Sequence, residues 1–169
     1  MTVRELQTSN VKSVSPDTDL AVVAKLMWEG DCGAVPVVTD DRKVIGMITD
    51  RDICIAAATR AKPPAEIRAG EVITNHGVHA VKQDDDVRVA MRTMRKHKVR
   101  RLPVVDADGR PLGVVSLDDL AKEARRQVDL IASSAPSAGV GRVLGDICRP
   151  HFESLVPQDR ELALEADGP

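Results

Sequence analysis

The sequence predicts an α+β (α/β) fold made of two similar β-α-β-β-α units, and three observations carry that expectation. Val14–Ile53, moved forward by 67 positions, lies on Val81–Leu120 without a gap and with eleven identities. Each copy is too short to bury much of its own surface, so two copies are expected to fold against each other and share an interface. Within each copy the apolar period changes from helical to alternating in the same order, which fixes the succession of elements.

Val3–Gln7 reads as a short helical lead-in, and Glu71–Thr74 stands in nearly the same place before the second copy. Val11–Val14 is a short extended segment ended by Pro16. Asp17 or Asp19 then caps a helix whose apolar residues Leu20, Val23, Ala24 and Met27 follow the three-and-four spacing of a single buried face. Gly30 and Gly33 end it. Val35–Thr39 and Val44–Thr49 are strands joined by the polar turn Asp40–Lys43, and Asp50–Ala58 is helical.

The second copy repeats this order over His79–Val81, Asp86–His97, Leu102–Val105, Leu112–Ser116 and Leu117–Gln127, with Asp106-Ala107-Asp108-Gly109 as its hairpin turn. The expected division is residues 1–60 for the first unit, 61–70 for a linker marked by Pro63 and Pro64, and 71–131 for the second unit. Residues 132–169 form a tail that begins Ser-, Ala- and Gly-rich, with a short helix expected at 140–147.

Trp28 and Phe152 are the only residues of the Phe, Trp and Tyr set, so the core must be aliphatic and the stacking platforms of single-strand nucleic-acid binders are excluded. The net charge of -2 gives no general attraction to nucleic acid or to an anionic membrane. Neither a signal peptide nor a run of 18 apolar residues is present, and a cytoplasmic location is expected. Cys32, Cys54 and Cys148 are odd in number and unpaired in pattern, as reduced thiols would be.

Each copy carries one constellation at the end of its second hairpin strand. Gly46-Met47-Ile48-Thr49-Asp50-Arg51-Asp52 and Gly113-Val114-Val115-Ser116-Leu117-Asp118-Asp119 both reduce to Gly, two apolar residues, a hydroxyl, two variable positions and Asp. Two readings stand side by side. A hydroxyl at a helix start and an acid one turn later suit the phosphate and ribose of a nucleotide. The same spacing is a capping box, in which the hydroxyl and the acid bond reciprocally to the first helical amides.

The doubled pattern from Pro36-Val37-Val38 to Asp52 and from Pro103-Val104-Val105 to Asp119 closely resembles tandem CBS (cystathionine beta-synthase) domains, the pair called a Bateman module. The resemblance covers about residues 1–130 and extends to the small stand-alone bacterial CBS-pair proteins, the hypoxic-response type included. It implies two units packed through their sheets about a pseudo-twofold axis, with clefts that bind AMP, ADP, ATP or S-adenosylmethionine, and a disk-like homodimer. It also implies that Asp52 and Asp119 hold ribose hydroxyls and that Thr49 and Ser116 approach phosphate. Ala34 and Val35, or Arg101 and Leu102, line the adenine pocket, while Val14 and Val81 supply apolar cover.

No acidic residue falls between Val87 and Val105, whereas Arg88, Arg92, Arg95, Lys96, Lys98, Arg100 and Arg101 are basic. Arg92, Arg95 and Lys96 read as a solvated helix face. Lys98, Arg100 and Arg101 are candidates to neutralise phosphate at the second copy's strand entrance, so two clefts of unequal phosphate preference are expected. His76 and His79 have metal-ligand spacing with no Cys or acid beside them, and the expectation is no metal. No catalytic constellation or Walker-type loop is present. The expected function is non-enzymatic sensing of an adenosyl ligand, with output to an unidentified effector protein. The rival expectations are a ligand-free interaction scaffold and a metal- or redox-responsive stress protein.

Overall fold

The structure is a computed structural model that describes residues 1–73 and 77–131. The expected tail helix at 140–147, His151, Cys148 and His76 lie outside the described residues. The elements are β1 (Thr8–Ser9), α1 (Leu20–Glu29), β2 (Ala34–Val38), β3 (Val44–Thr49), α2 (Asp50–Arg60), β4 (Val81–Lys82), α3 (Val87–His97), β5 (Arg101–Val105), β6 (Pro111–Ser116) and α4 (Leu117–Ile131). The mixed α+β class is as expected.

The helices begin where side chains satisfy their first amides. Asp19 accepts from the Val22 amide at 2.9 Å and Asp86 from the Arg88 amide at 2.9 Å. Helix α1 closes at Gly30, whose N–H reaches the Leu26 carbonyl. Helix α3 closes at Lys98, a left-handed residue with φ 54° whose N–H reaches the Met94 carbonyl. Asp31, 67 positions earlier, is left-handed too.

The hairpins repeat residue by residue. In β2–β3, Ala34 pairs with Thr49 and Val37 with Gly46; in β5–β6, Arg101 pairs with Ser116 and Val104 with Gly113. Both have a register irregularity at the next position, Val37/Val38 and Val104/Val105. Val14 bridges Val37 in parallel, as Val81 does Val104. Strand order is β1-β6-β5-β4 in one sheet and β2-β3 in the other, and β3 adjoins β5 across the boundary between copies.

Each core is completed by a segment that precedes the other copy. Val3, in a 3-10 turn before the first copy, is fully buried in the second core with Val81, Ala90, Met94, Leu102, Val104 and Val115. Its amide donates to the Asp85 carbonyl at 2.9 Å. Ile67 and Ala69, before the second copy, are fully buried in the first core with Val14, Leu20, Val23, Val35, Val37 and Ile48. There the Leu20 amide donates to the Ile67 carbonyl at 3.0 Å and the Ala69 amide to the Thr18 carbonyl at 2.8 Å. Residues 61–70, expected to be a plain linker, therefore supply core.

The motif glycines serve this exchange. A Cβ on Gly46 would lie 2.7 Å from Ile73 Cγ2, and one on Gly113 would lie 2.5 Å from the Thr8 carbonyl oxygen in β1. The close approach expected of these glycines is made by the Ile73 side chain at Gly46 and by the β1 backbone at Gly113.

Two substitutions test the exchange by thermal unfolding. Val3→Ala removes two buried methyl groups and should cost about 2 kcal/mol although it lies outside both repeats. Gly113→Ala should cost about 1–3 kcal/mol by forcing β1 off β6. Wild-type melting in both variants would contradict the exchange.

Candidate functional site

Strand β3 runs directly into α2, and Thr49 at the junction is extended, with φ -112° and ψ 162°. Its hydroxyl donates to Asp52 Oδ2 at 2.7 Å and its amide donates to the same oxygen at 2.9 Å. The Asp52 amide returns a bond to the Thr49 hydroxyl at 3.3 Å. Ser116 and Asp119 build the same box before α4, at 2.6, 2.8 and 3.2 Å. Both motifs are thus capping boxes. Asp52 Oδ1, however, has no hydrogen-bond partner among the described residues, and that oxygen retains its accepting capacity.

Above the first box lies a cleft of about 310 Å³, within the range of small-ligand sites. One wall is Gly46, Met47, Thr49, Arg51 and Asp52, from β3 and α2. The other comes from the second copy: Gly77, Val78 and His79 ahead of β4, and Val99, Arg100, Arg101, Leu102 and Pro103 at the start of β5. The cleft therefore takes its acid and hydroxyl from one copy and most of its cations from the other, because β3 and β5 adjoin between the two sheets.

Of the residues singled out in the sequence, Thr49, Asp52, Arg100, Arg101 and Leu102 meet in this cleft. Val14 and Val81 are buried in the separate cores, Val35 is buried in the first, and Ala34 is buried at the start of β2. Lys98 closes α3 and does not line the cleft, nor do Ser116 and Asp119. The grouping of Arg100 and Arg101 with Asp52, across copies, differs from the expected one within the second copy.

Arg51 completes the site and occupies a position the motif leaves variable. A cation in the first turn of a helix opposes the helix dipole, and that local conflict was its signal in the sequence. The side chains of Arg51, Arg100 and Arg101, like those of Arg42, Arg92 and Arg95, make no hydrogen bond or ion pair among the described residues, whereas Arg4, Arg60, Arg88, Arg110 and Arg126 have carboxylate partners. Three lining arginines lack a hydrogen-bonded carboxylate and Asp52 is the one acid of the lining, so the cleft favours an anion.

His79, on the cleft wall, stacks on His97 at the end of α3, with ring centroids 3.4 Å apart and planes inclined by 22°. Metal coordination needs ring nitrogens that converge on one point, and stacked rings direct theirs in parallel planes. No group of three or more His, Cys, Asp or Glu suited to a metal ion occurs among the described residues. Burial, then the charges of His79 and Lys96, hold the His97 pKa below the usual imidazole value. Cys32 and Cys54 are free and exposed. No described helix is long and apolar enough to cross a membrane.

The family described as CBS domain matches residues 3–58 and again residues 69–126. Hypoxic response protein 1 of Mycobacterium tuberculosis is 32% identical over 121 residues, 72% of this chain and 83% of that protein. A crystal structure of Hypoxic Response Protein I with two coordinated zinc ions superposes with a TM-score of 0.65 at 32% identity, covering 72% of this chain and 98% of that one. Two more distant structures share the fold. The CBS domain pair of protein MJ0100, in complex with 5-methylthioadenosine and S-adenosyl-L-methionine, has a TM-score of 0.68 at 23% identity and covers 75% and 98% of the two chains. CBSX2 in complex with AMP has a TM-score of 0.62 at 23% identity and covers 74% and 97%.

The depressed pKa of His97 makes a pH test of the stacked pair. A neutral imidazole favoured by the folded state contributes stability that is fully present above the unfolded value near 6.5 and is lost as pH falls below it. Carboxylates held low, such as Asp86 at about 2 through its hydrogen bonds to Arg88, lose their contribution only at much lower pH. Melting temperature should therefore fall between pH 7.5 and 5.5, and His97→Gln should flatten that fall. An unchanged slope in the variant would contradict the stacked, desolvated pair.

Proposed function

We propose, from the fact that this chain belongs to the CBS domain family, that it is a non-catalytic regulatory module whose cleft holds a phosphorylated adenosine: AMP, ADP or ATP. The single observation that carries this reading is the meeting of Asp52 with three unpaired arginines in one cleft between the copies. Asp52 Oδ1 accepts from the ribose hydroxyls while Oδ2 keeps the cap. Arg51, Arg100 and Arg101 receive the phosphate, and the apolar entrance of β5, at Val99, covers the base. The complexes of CBSX2 with AMP and of MJ0100 with S-adenosyl-L-methionine support an adenosyl ligand in this fold.

The charge of the cleft decides between those ligand classes. S-adenosylmethionine brings a cationic sulfonium towards Arg51, Arg100 and Arg101, whereas a nucleotide brings an anion. A ligand touching both walls also binds one relative placement of the copies better than others, and this differential affinity is the means of signalling. The output passes in this reading to a second copy of the chain and to a separate effector protein in the cytoplasm. Exposed Val22 and Trp28 on α1, and Ile55 on the adjoining α2, provide apolar surface for such contacts.

Calorimetric titration separates this reading from a ligand-free scaffold. AMP should bind more tightly than adenosine or S-adenosylmethionine. Asp52→Ala should weaken AMP about tenfold or more, equivalent to roughly 1.4 kcal/mol. Asp119→Ala, which loses a comparable cap of roughly 1 kcal/mol, should leave AMP affinity within about twofold. Equal losses in the two variants would reduce Asp52 to a helix cap, and no binding of any of these ligands would leave the scaffold.

A further inference from the structure

Gly33 has no conformational reason to be glycine. Among the described residues the glycines with positive φ are Gly77 and Gly109, and Gly33 lies outside every regular element, between α1 and β2. Space is the reason. A Cβ on Gly33 would lie 2.9 Å from Arg101 Nη2 and 3.5 Å from Arg101 Cζ, and 3.2 Å from Asp50 Oδ2. The guanidinium of a second-copy arginine thus fills the volume that a first-copy side chain would occupy. The same arginine lines the cleft.

We propose that Gly33 is a positioning residue: it provides the berth that holds the Arg101 guanidinium at the boundary between copies, ready for an anion in the cleft. This rests on the reading of the cleft as a phosphate-binding site. The berth is a steric one, since the Arg101 side chain makes no ion pair or hydrogen bond among the described residues even with Asp50 close by. A guanidinium held without a hydrogen bond keeps its donors available, and fixing it in advance lowers the ordering cost of binding. Asp50 adds electrostatic bias from the first copy: its carboxylate attracts Arg101 towards the berth, and its own amide donates to the Gly33 carbonyl at 3.4 Å. An anion that engages Arg101 therefore acts on a contact between the two copies, which connects occupancy to their relative placement.

Gly33→Ala is the direct test. The clashing atoms belong to the flexible end of Arg101 and to the Asp50 carboxylate, so the fold is retained while the guanidinium is displaced. AMP affinity should fall about tenfold while adenosine, which lacks the phosphate, binds as it does to wild type. In an Arg101→Ala background, Gly33→Ala should have no further effect on AMP. A thermal-unfolding cycle on the ligand-free protein asks about the contact separately: Gly33→Ala should shift the melting temperature when Arg101 is present and shift it less when it is absent. Wild-type AMP affinity in Gly33→Ala overturns the proposal. Should wild-type protein bind no adenine nucleotide, the phosphate reading of the cleft fails by itself. The thermal cycle then decides the berth, with non-zero coupling supporting it and additivity overturning it.

Discussion

The cleft exists because two short segments cross between the copies. Val3 enters the core of the second copy, while Ile67 and Ala69 enter the core of the first, and neither core is complete without the visitor. Backbone bonds fix both crossings: Thr2 bridges Asp86 at the start of α3, and Arg68 bridges Asp19 at the start of α1. The exchange couples the two small units at their helix starts and holds β3 beside β5. A surface pair such as Arg4 with Asp84, at 2.7 Å, adds little to this, since exposed ion pairs contribute only about 0–1 kcal/mol.

From that constraint follows the division of labour in the site. Asp52 sits where it does because a helix must be capped at the end of β3, and capping consumes one of its two oxygens. Arg100 and Arg101 sit opposite because the second copy's strand begins at the same boundary. The repeat is symmetric in backbone and unequal in chemistry: Gly33 and Ala34 occupy the positions that Arg100 and Arg101 hold 67 residues later. Gly33 leaves room for Arg101, so the difference between the copies is itself part of the fit between them.

Most of the fold was legible from local pattern. The helix cap at Asp17 or Asp19, the hairpin turns and the hydroxyl-acid boxes all depend on residues within a few positions of one another, and the repeat let each copy check the other. What escaped is tertiary. Ile67 and Ala69 follow a Pro-Pro pair and contribute only two buried side chains to the first core, too few to make a period. Gly46 and Gly113 signalled close approach without naming what approaches, which proved to be Ile73 and Thr8. The partnership of Asp52 with Arg100 and Arg101 spans two copies and has no local signature. Arg51 had one, a cation in the first turn of a helix, against the dipole.

In the proposed function one ligand touches both copies at once. Backbone amide chemical shifts followed by NMR during an AMP titration test it most directly. Residues 49–52 and 100–102 should shift together, saturate at the same AMP concentration, and be joined by Gly33. Shifts confined to one copy, or centred on Ser116 and Asp119 with Asp52 silent, would contradict it.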